Sequence, residues 1–264
     1  MISTPMKNLI THNLHDKFSF IPSYISNMDI NHVGPLTVIN SYLATDMFNI
    51  VYINESIMPN PDEIAEAVDI FKTDRLPFAF WLISEDEKQL SKALIQCNLN
   101  CAEVELGMSV VLSNALSSDK INEELQIKIV DSYAILLDWI EVFCALLPDE
   151  SSAITRFYQL ADPVIQKFSS TIKCYVGYLN NQPVTTCALF FSESIAGIFD
   201  MITVPAAQRK RVATTMMLHV LNEAKLAGCK QVSLGASEEG LHVYKKLGFE
   251  THCEFKIYNP SYAL

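Results

Sequence analysis

Four consecutive residues carry the first chemical signal in this chain: Gln208-Arg209-Lys210-Arg211, followed directly by Val212-Ala213-Thr214. Apolar side chains at Val212, Met216, Val220, Leu221 and Ala224 keep a helical period, so a helix is predicted from about 211–214 to Ala227. Gly228 stands where a left-handed cap would close it. The first turn of a helix has N–H groups without partners and a partial positive charge, and an anion docked there satisfies both. Three adjacent cations in a chain of net charge −11 fit a ligand rich in phosphate. The plainer alternative is a basic turn ahead of an ordinary helix.

The flanking elements favour the phosphate reading. A strand over 197–204 is stopped by Pro205. After the basic loop and its helix comes a short strand, 231–235, and then a helix bearing Tyr244-Lys245-Lys246-Leu247-Gly248-Phe249. Strand, loop, helix, strand and tyrosine helix in this order resemble the coenzyme A site of the GNAT superfamily of acyltransferases. The superfamily loop reads Gln or Arg, two residues, Gly, one residue, then Gly or Ala. Gln208, Val212 and Ala213 fit, but Arg211 takes the first glycine position. Glycine there permits unusual dihedrals and a close backbone approach to phosphate. Arginine is expected to hold an ordinary helical conformation, at some cost in cofactor binding. The segment Ala236-Ser237-Glu238-Glu239-Gly240, together with the tyrosine element, resembles one bacterial GNAT group that carries a further domain before the acetyltransferase core.

The resemblance implies acetyl-CoA as cofactor and a set of residues around it. Gln208, Arg209, Lys210, Arg211, Val212, Ala213 and Thr214 would cradle the pyrophosphate. Backbone groups of Ile202, Thr203 and Val204 would pair with the pantetheine arm and supply the donor for the oxyanion. That strand must therefore splay from 231–234 and leave backbone groups for the cofactor. Tyr244 would donate a proton to the departing sulfur, since a phenol of pKa about 10 is protonated at neutral pH; the other reading is that it only packs under the cofactor. Ser237 stands seven residues before Tyr244, where many relatives carry asparagine, and would cap the next helix or touch the pantetheine. Asp200 is the first candidate for a general base, with Glu193 and Glu238 near in the expected topology. Each of the three also suits a solvated or capping carboxylate, and a water chain could take the proton instead.

These residues need a scaffold. The predicted elements of the second half are a strand at 125–130, helices at 132–146 and 151–168, and a hairpin of 172–179 and 183–191 turning at Asn180-Asn181-Gln182. A last strand spans 254–258. Leu137, Ile140, Phe143 and Cys144 are expected to bury one face of the first helix. Trp139, Phe143, Arg156, Phe157 and Tyr158 are candidates for a wall of the acceptor pocket. The fold class expected for 119–264 is therefore α/β, the GNAT acyl-CoA N-acyltransferase fold, a mixed and mostly antiparallel sheet flanked by helices. The first half, 1–118, is expected to be a smaller α/β domain with strands at 48–53, 78–83 and 104–112 and helices at 61–71 and 85–97. Its order resembles a degenerate GNAT copy, but it has neither the loop nor the tyrosine element and is not expected to bind coenzyme A by the same device. A polar linker is expected at 113–122.

Composition narrows the rest. Half the residues are hydrophobic and 19 % are charged, which excludes a disordered chain. No apolar run is long enough to span a bilayer, and residues 1–18 lack the pattern of a signal peptide, so a cytoplasmic location without membrane attachment is expected. The acidic balance argues against a nucleic-acid partner and suits a cationic substrate or simple solubility. The 7 cysteines have no zinc spacing and are read as thiols, and no metal site is expected. The function implied is transfer of an acetyl group from acetyl-CoA to the primary amine of a small molecule or peptide, by direct attack in a ternary complex, in a monomer or homodimer. The alternative is a catalytically weak or inactive module that binds coenzyme A or a partner.

Overall fold

The structure is a computed structural model that describes residues 4–54, 57–83, 87–113, 121–192 and 195–261. In chain order its main elements are α1 (Thr4–Phe20), β1 (Asp29–Val33), β2 (Leu36–Asn40), β3 (Ile50–Ile53), α2 (Pro61–Asp74), β4 (Ala79–Ile83), α3 (Glu87–Gln96) and β5 (Leu99–Val111). There follow β6 (Gln126–Ile129), α4 (Tyr133–Cys144), α5 (Ser151–Lys167), β7 (Ile172–Leu179), β8 (Gln182–Ser192), β9 (Ile195–Thr203), α6 (Val212–Leu226), β10 (Gln231–Ala236), α7 (Leu241–Lys246) and β11 (Glu250–Pro260). They gather into two compact units, neither continuous in sequence. The first holds Met1–Leu14 and Gly107–His252, the second His15–Leu106 and Cys253–Leu264. Most of the expected linker, 114–120, lies outside the described residues, as does Glu193.

In the first unit the strands run in the order β5-β10-β9-β8-β7-β6. The pairs β6/β7, β7/β8 and β8/β9 are antiparallel, and β9/β10 is parallel. The β7–β8 turn places Asn180 and Asn181 at φ 50° and 61°, the left-handed pair that a tight two-residue hairpin requires. Side chains alternate across β7. Tyr178 donates to Asp138 of α4 at 2.6 Å, and Tyr175 donates to Glu223 of α6 at 3.1 Å, so α4 and α6 cover opposite faces. On α4 the buried stripe is Leu136, Trp139, Ile140 and Phe143, one position out of phase with the expected Leu137, which is 45 % exposed.

The start of α1 belongs to this unit and was not foreseen as a helix. Its buried positions include Thr11 and Asn13, which break the apolar period. Asn13 Nδ2 donates to Ser192 Oγ at 2.7 Å and to the Phe190 carbonyl at 3.4 Å. Gly197 makes room for it, since a Cβ there would lie 1.9 Å from Asn13 Oδ1.

The second unit repeats the order strand, helix, strand, helix, with strands in the order β1-β2-β3-β4-β11. Strands β3 and β4 are parallel, joined through α2. Ile64, Phe71, Phe78, Phe80, Leu94 and Leu99 form its core. The expected strand at 48–53 begins at Ile50, and the others fall within a few residues of their places.

His219 on α6 packs edge-on against Tyr175, with ring centroids 5.1 Å apart. Burial lowers its pKa from the ordinary 6.5, and the nearby Glu223 only partly opposes this. The folded chain thus resists protonation here more than the unfolded chain does. This contribution to stability is intact above pH 6.5 and is lost as pH falls below it. His219→Gln is expected to flatten the decline in urea midpoint between about pH 6.5 and 5; an unchanged slope would assign the decline to other groups.

Candidate active site

The site is built where two parallel strands end. β9 and β10 pair only from Ile195↔Gln231 to Ile198↔Leu234. Beyond that register, Phe199–Thr203 on one strand and Gly235–Ala236 on the other continue without pairing to each other; the splay expected against 231–234 thus begins only past Leu234, since 231–234 themselves pair with 195–198. Because the strands are parallel, the loop after β9 and the segment leading to α7 leave from the same end of the sheet. Ligands of open α/β sheets bind at such carboxyl ends.

A bulge shapes β9 at this point. On β8 one residue, Cys187, separates Thr186 from Ala188, while on β9 two residues, Asp200 and Met201, separate their partners Ile202 and Phe199. Asp200 takes φ 53°, and its carbonyl accepts from Thr186 Oγ1 at 2.9 Å. Bulges re-aim side chains. Here the Asp200 carboxylate accepts from Tyr158 Oη at 3.3 Å. Tyr158 is buried on α5 beside Trp139 and Phe143, and burial first, then Asp200, drives its pKa well above the ordinary value. Of the expected pocket wall, Trp139, Phe143, Phe157 and Tyr158 are core residues, while Arg156 is exposed.

Past the bulge, the donors divide. Val204 N–H donates to the Val184 carbonyl at 3.0 Å, so Val204 cannot offer that group to a ligand as expected. N–H directions alternate along an antiparallel strand. Ile202 therefore faces β8 with Val204, and the Thr203 N–H points toward the side from which β10 has diverged. The Thr203 hydroxyl meets Thr185 Oγ1 at 3.0 Å, which fixes this end of the strand.

A short turn, Pro205–Ala207, leads into the basic loop. Gln208 is extended, and its side-chain amide donates back to the Thr203 carbonyl at 3.3 Å. Arg209 has φ 60° and Arg211 has φ 62°. Arg211 is the N-cap of α6, left-handed at φ 62°, ψ 13°. This corrects the expectation of ordinary helical dihedrals: the position keeps the conformation that glycine adopts most cheaply, although the residue is arginine. Left-handed residues set beside right-handed ones turn successive N–H groups into an anion-binding concavity. No side chain caps α6, and its first intrahelical bond runs from Thr215 N to the Arg211 carbonyl at 3.0 Å. The N–H groups of Arg211, Val212, Ala213 and Thr214 are thus those that a helix start leaves unsatisfied. Arg209, Lys210 and Arg211 are exposed around them, while Val212 is buried and Ala213 and Thr214 are half-buried.

On the far side of the splay, α7 carries Tyr244, which is buried. Its ring lies 6.0 Å from that of Phe249 and rests against Gly240, where a Cβ would come within 2.7 Å of ring carbon Cε2. Glycine is required there for that close approach. Ser237 does not cap α7 with its side chain. The N-cap is Gly240 without a side-chain bond, and Ser237 contributes its carbonyl to Leu241 N at 3.2 Å. Sequence reasoning also missed Asn122, whose amide donates to the Lys210 carbonyl at 2.9 Å.

The second unit has a helix in the corresponding place, and its start is closed. Asn60 accepts from Asp62 N and Glu63 N, and Glu63 reaches back to Asn60 N, a reciprocal capping box. Asp62 and Glu63 make this first turn acidic. An anion would meet filled donors and two carboxylates there.

Residues 170–251 match the family model of the acetyltransferase (GNAT) domain. No curated protein matches the sequence. Among solved structures, a GCN5-related N-acetyltransferase from Kribbella flavida is 12 % identical with a TM-score of 0.69, over 95 % of this chain and 96 % of that one. A GCN5-related N-acetyltransferase from Sphaerobacter thermophilus is 12 % identical with a TM-score of 0.63, over 87 % and 78 %. A tandem GNAT protein from the clavulanic acid biosynthesis pathway, solved without AcCoA, is 7 % identical with a TM-score of 0.60, over 89 % and 83 %. Residues 170–251 thus carry the sequence pattern of the acetyltransferase (GNAT) domain, and the chain shares the fold of these GCN5-related N-acetyltransferase structures. Among the described residues, no helix is long and apolar enough to cross a membrane.

Two outcomes follow for the loop. Arg211→Gly should leave unfolding stability unchanged or slightly raised, whereas Arg211→Val, β-branched in a left-handed position, should cost roughly 1–2 kcal/mol by urea titration. Reversal of charge at Arg209 or Lys210 should weaken coenzyme A binding, and more at low salt than at high, by calorimetry. Equal affinity would place the phosphates elsewhere.

Proposed function

We propose that this protein is an N-acetyltransferase that moves the acetyl group of acetyl-CoA to a primary amine by direct attack in a ternary complex. The observation that carries this reading is the uncapped, left-handed start of α6 at the mouth of the diverging β9 and β10. Its donor set fits a diphosphate in charge and hydrogen-bonding capacity. When bound, the cofactor supplies an activated acyl group on sulfur.

The chain's own residues take the remaining roles. N–H groups of 211–214 hold the pyrophosphate, with Arg209, Lys210 and Arg211 as surrounding charge and the Gln208 side chain bracing the end of β9. Backbone groups of Ile202, Thr203 and Val204 border the pantetheine arm. Of these, the Thr203 N–H is the donor left to stabilise negative charge on the acyl oxygen. Asp200 accepts the proton from the attacking amine, which an alkyl amine of pKa about 10.4 must lose. Tyr158, hydrogen-bonded to Asp200, orients that carboxylate. Tyr244 gives its phenolic proton to the departing sulfur, and Ser237 lines the approach to it.

We assign the acceptor to amine-bearing small molecules or peptides. The acidic balance of the chain supports a cationic acceptor. In terms of sequence, 119–264 is the acetyltransferase part and 1–118 a degenerate copy of it, each lending residues to both compact units. The closed start of α2 supports leaving the copy without a cofactor.

The test is Tyr244→Phe in an assay of thiol release with an amine panel. Turnover should fall by about 10²-fold with coenzyme A affinity nearly intact. Unchanged turnover removes Tyr244 from the acid role. Micromolar coenzyme A binding by the wild type with no turnover on any amine would favour a binding module over an enzyme.

A further inference from the structure

The left-handed loop is gripped from behind by a residue outside it. Asn122, just ahead of β6, donates its side-chain amide to the Lys210 carbonyl at 2.9 Å. Its own backbone N–H donates to Thr215 Oγ1 at 2.8 Å. Thr215 in turn donates Oγ1 to the Arg211 carbonyl at 2.9 Å, and Thr215 N donates to the same oxygen at 3.0 Å. Asn122 Oδ1 is occupied locally, accepting from Glu124 N at 3.0 Å, which fixes the rotamer that aims the amide at Lys210.

A trans peptide is planar, with its C=O and N–H pointing in opposite directions. Holding the Lys210 carbonyl therefore sets the direction of the Arg211 N–H, and holding the Arg211 carbonyl sets that of the Val212 N–H. Both are turned away from the Asn122–Thr215 side, as a concavity for an anion requires. Left to itself, a non-glycine residue at φ 62° would favour a right-handed peptide, which points its N–H elsewhere.

We infer that Asn122 is a positioning residue for the cofactor: through Lys210 and Thr215 it holds two peptide planes so that their amides converge on the diphosphate, and so stands in for the missing glycine at Arg211. This rests on the reading of the loop as the coenzyme A site. It concerns binding, and Asn122 takes no part in proton transfer.

The experiment uses the full chain with Asn122→Asp and Asn122→Leu. Asp keeps the acceptor for Glu124 N and loses the donor, at the price of a negative charge; Leu loses the donor without adding charge. Coenzyme A affinity is read by calorimetry, and KM and kcat by thiol release with acetyl-CoA and the best amine of a panel. The unliganded unfolding midpoint is recorded beside them. Both variants should raise Kd for coenzyme A and KM for acetyl-CoA about tenfold, the equivalent of one lost hydrogen bond, with kcat within about twofold. A structural role alone would lower the midpoint and the active fraction while KM stayed put, and that result overturns the inference. So does an effect confined to Asn122→Asp, which would be charge alone. If Asn122→Leu fails to fold, Thr215→Val cuts the same chain of bonds within the helix and must raise Kd in the same way. Wild-type protein that binds no coenzyme A would instead bring down the reading of the loop, and this inference with it.

Discussion

Four backbone amides at the start of α6, which no side chain caps, set the terms for the first unit. A helix cannot begin without leaving such groups, and the usual remedy is a side chain such as the Asn60 that closes α2. At α6 there is no such remedy. The two helices follow parallel strands in the same order of elements, yet one start is neutralised from within and the other is left open and ringed by cations. The strand pairing follows suit. β9 parts from β10 past Ile198, ahead of the open helix, whereas β3 stays paired with β4 through Tyr52 of its four residues. Openness at the helix start and openness between the strands are thus parts of one arrangement.

Holding that arrangement requires rigidity close by. The bulge at Asp200, the Thr185–Thr203 contact and the Gln208 amide on the Thr203 carbonyl fix the end of β9. Left-handed dihedrals at arginine cost about 1 kcal/mol each, and the hydrogen bonds around 122, 210, 211 and 215 are of the size needed to offset that. On the other face of the bulge, a buried tyrosine meets the Asp200 carboxylate. Burial and that neighbouring charge both keep the phenol protonated, so it remains a donor to the carboxylate at any ordinary pH.

Much of this was legible in the sequence because punctuation and period agreed. Gly228 and the spacing from Val212 to Ala224 bounded α6, Asn180-Asn181 marked the hairpin, and Pro205 ended β9. What escaped has physical causes. At Arg211 residue type and motif position point opposite ways: arginine favours a right-handed conformation, whereas the glycine position of the motif calls for the left-handed one that the chain adopts. That Val204 is spent on β8 depends on strand parity after a bulge, and no residue type announces a bulge at Asp200. Leu137 and Leu136 are adjacent leucines, so a phase error of one position leaves the period intact. Helix α1 hid because polar Thr11 and Asn13 face inward. Asn122 lies 88 residues from its partner Lys210, beyond any local pattern.

The interleaving of the two compact units bears on how the chain comes to be folded. The first unit draws on residues 1–14 and then waits for 107–252, and the second is completed only by 253–264. A nascent chain leaving the ribosome cannot finish either unit from a contiguous early stretch, as domains that fold one after another do. The acquisition of structure is thereby made dependent on contacts distant in sequence, which slows it.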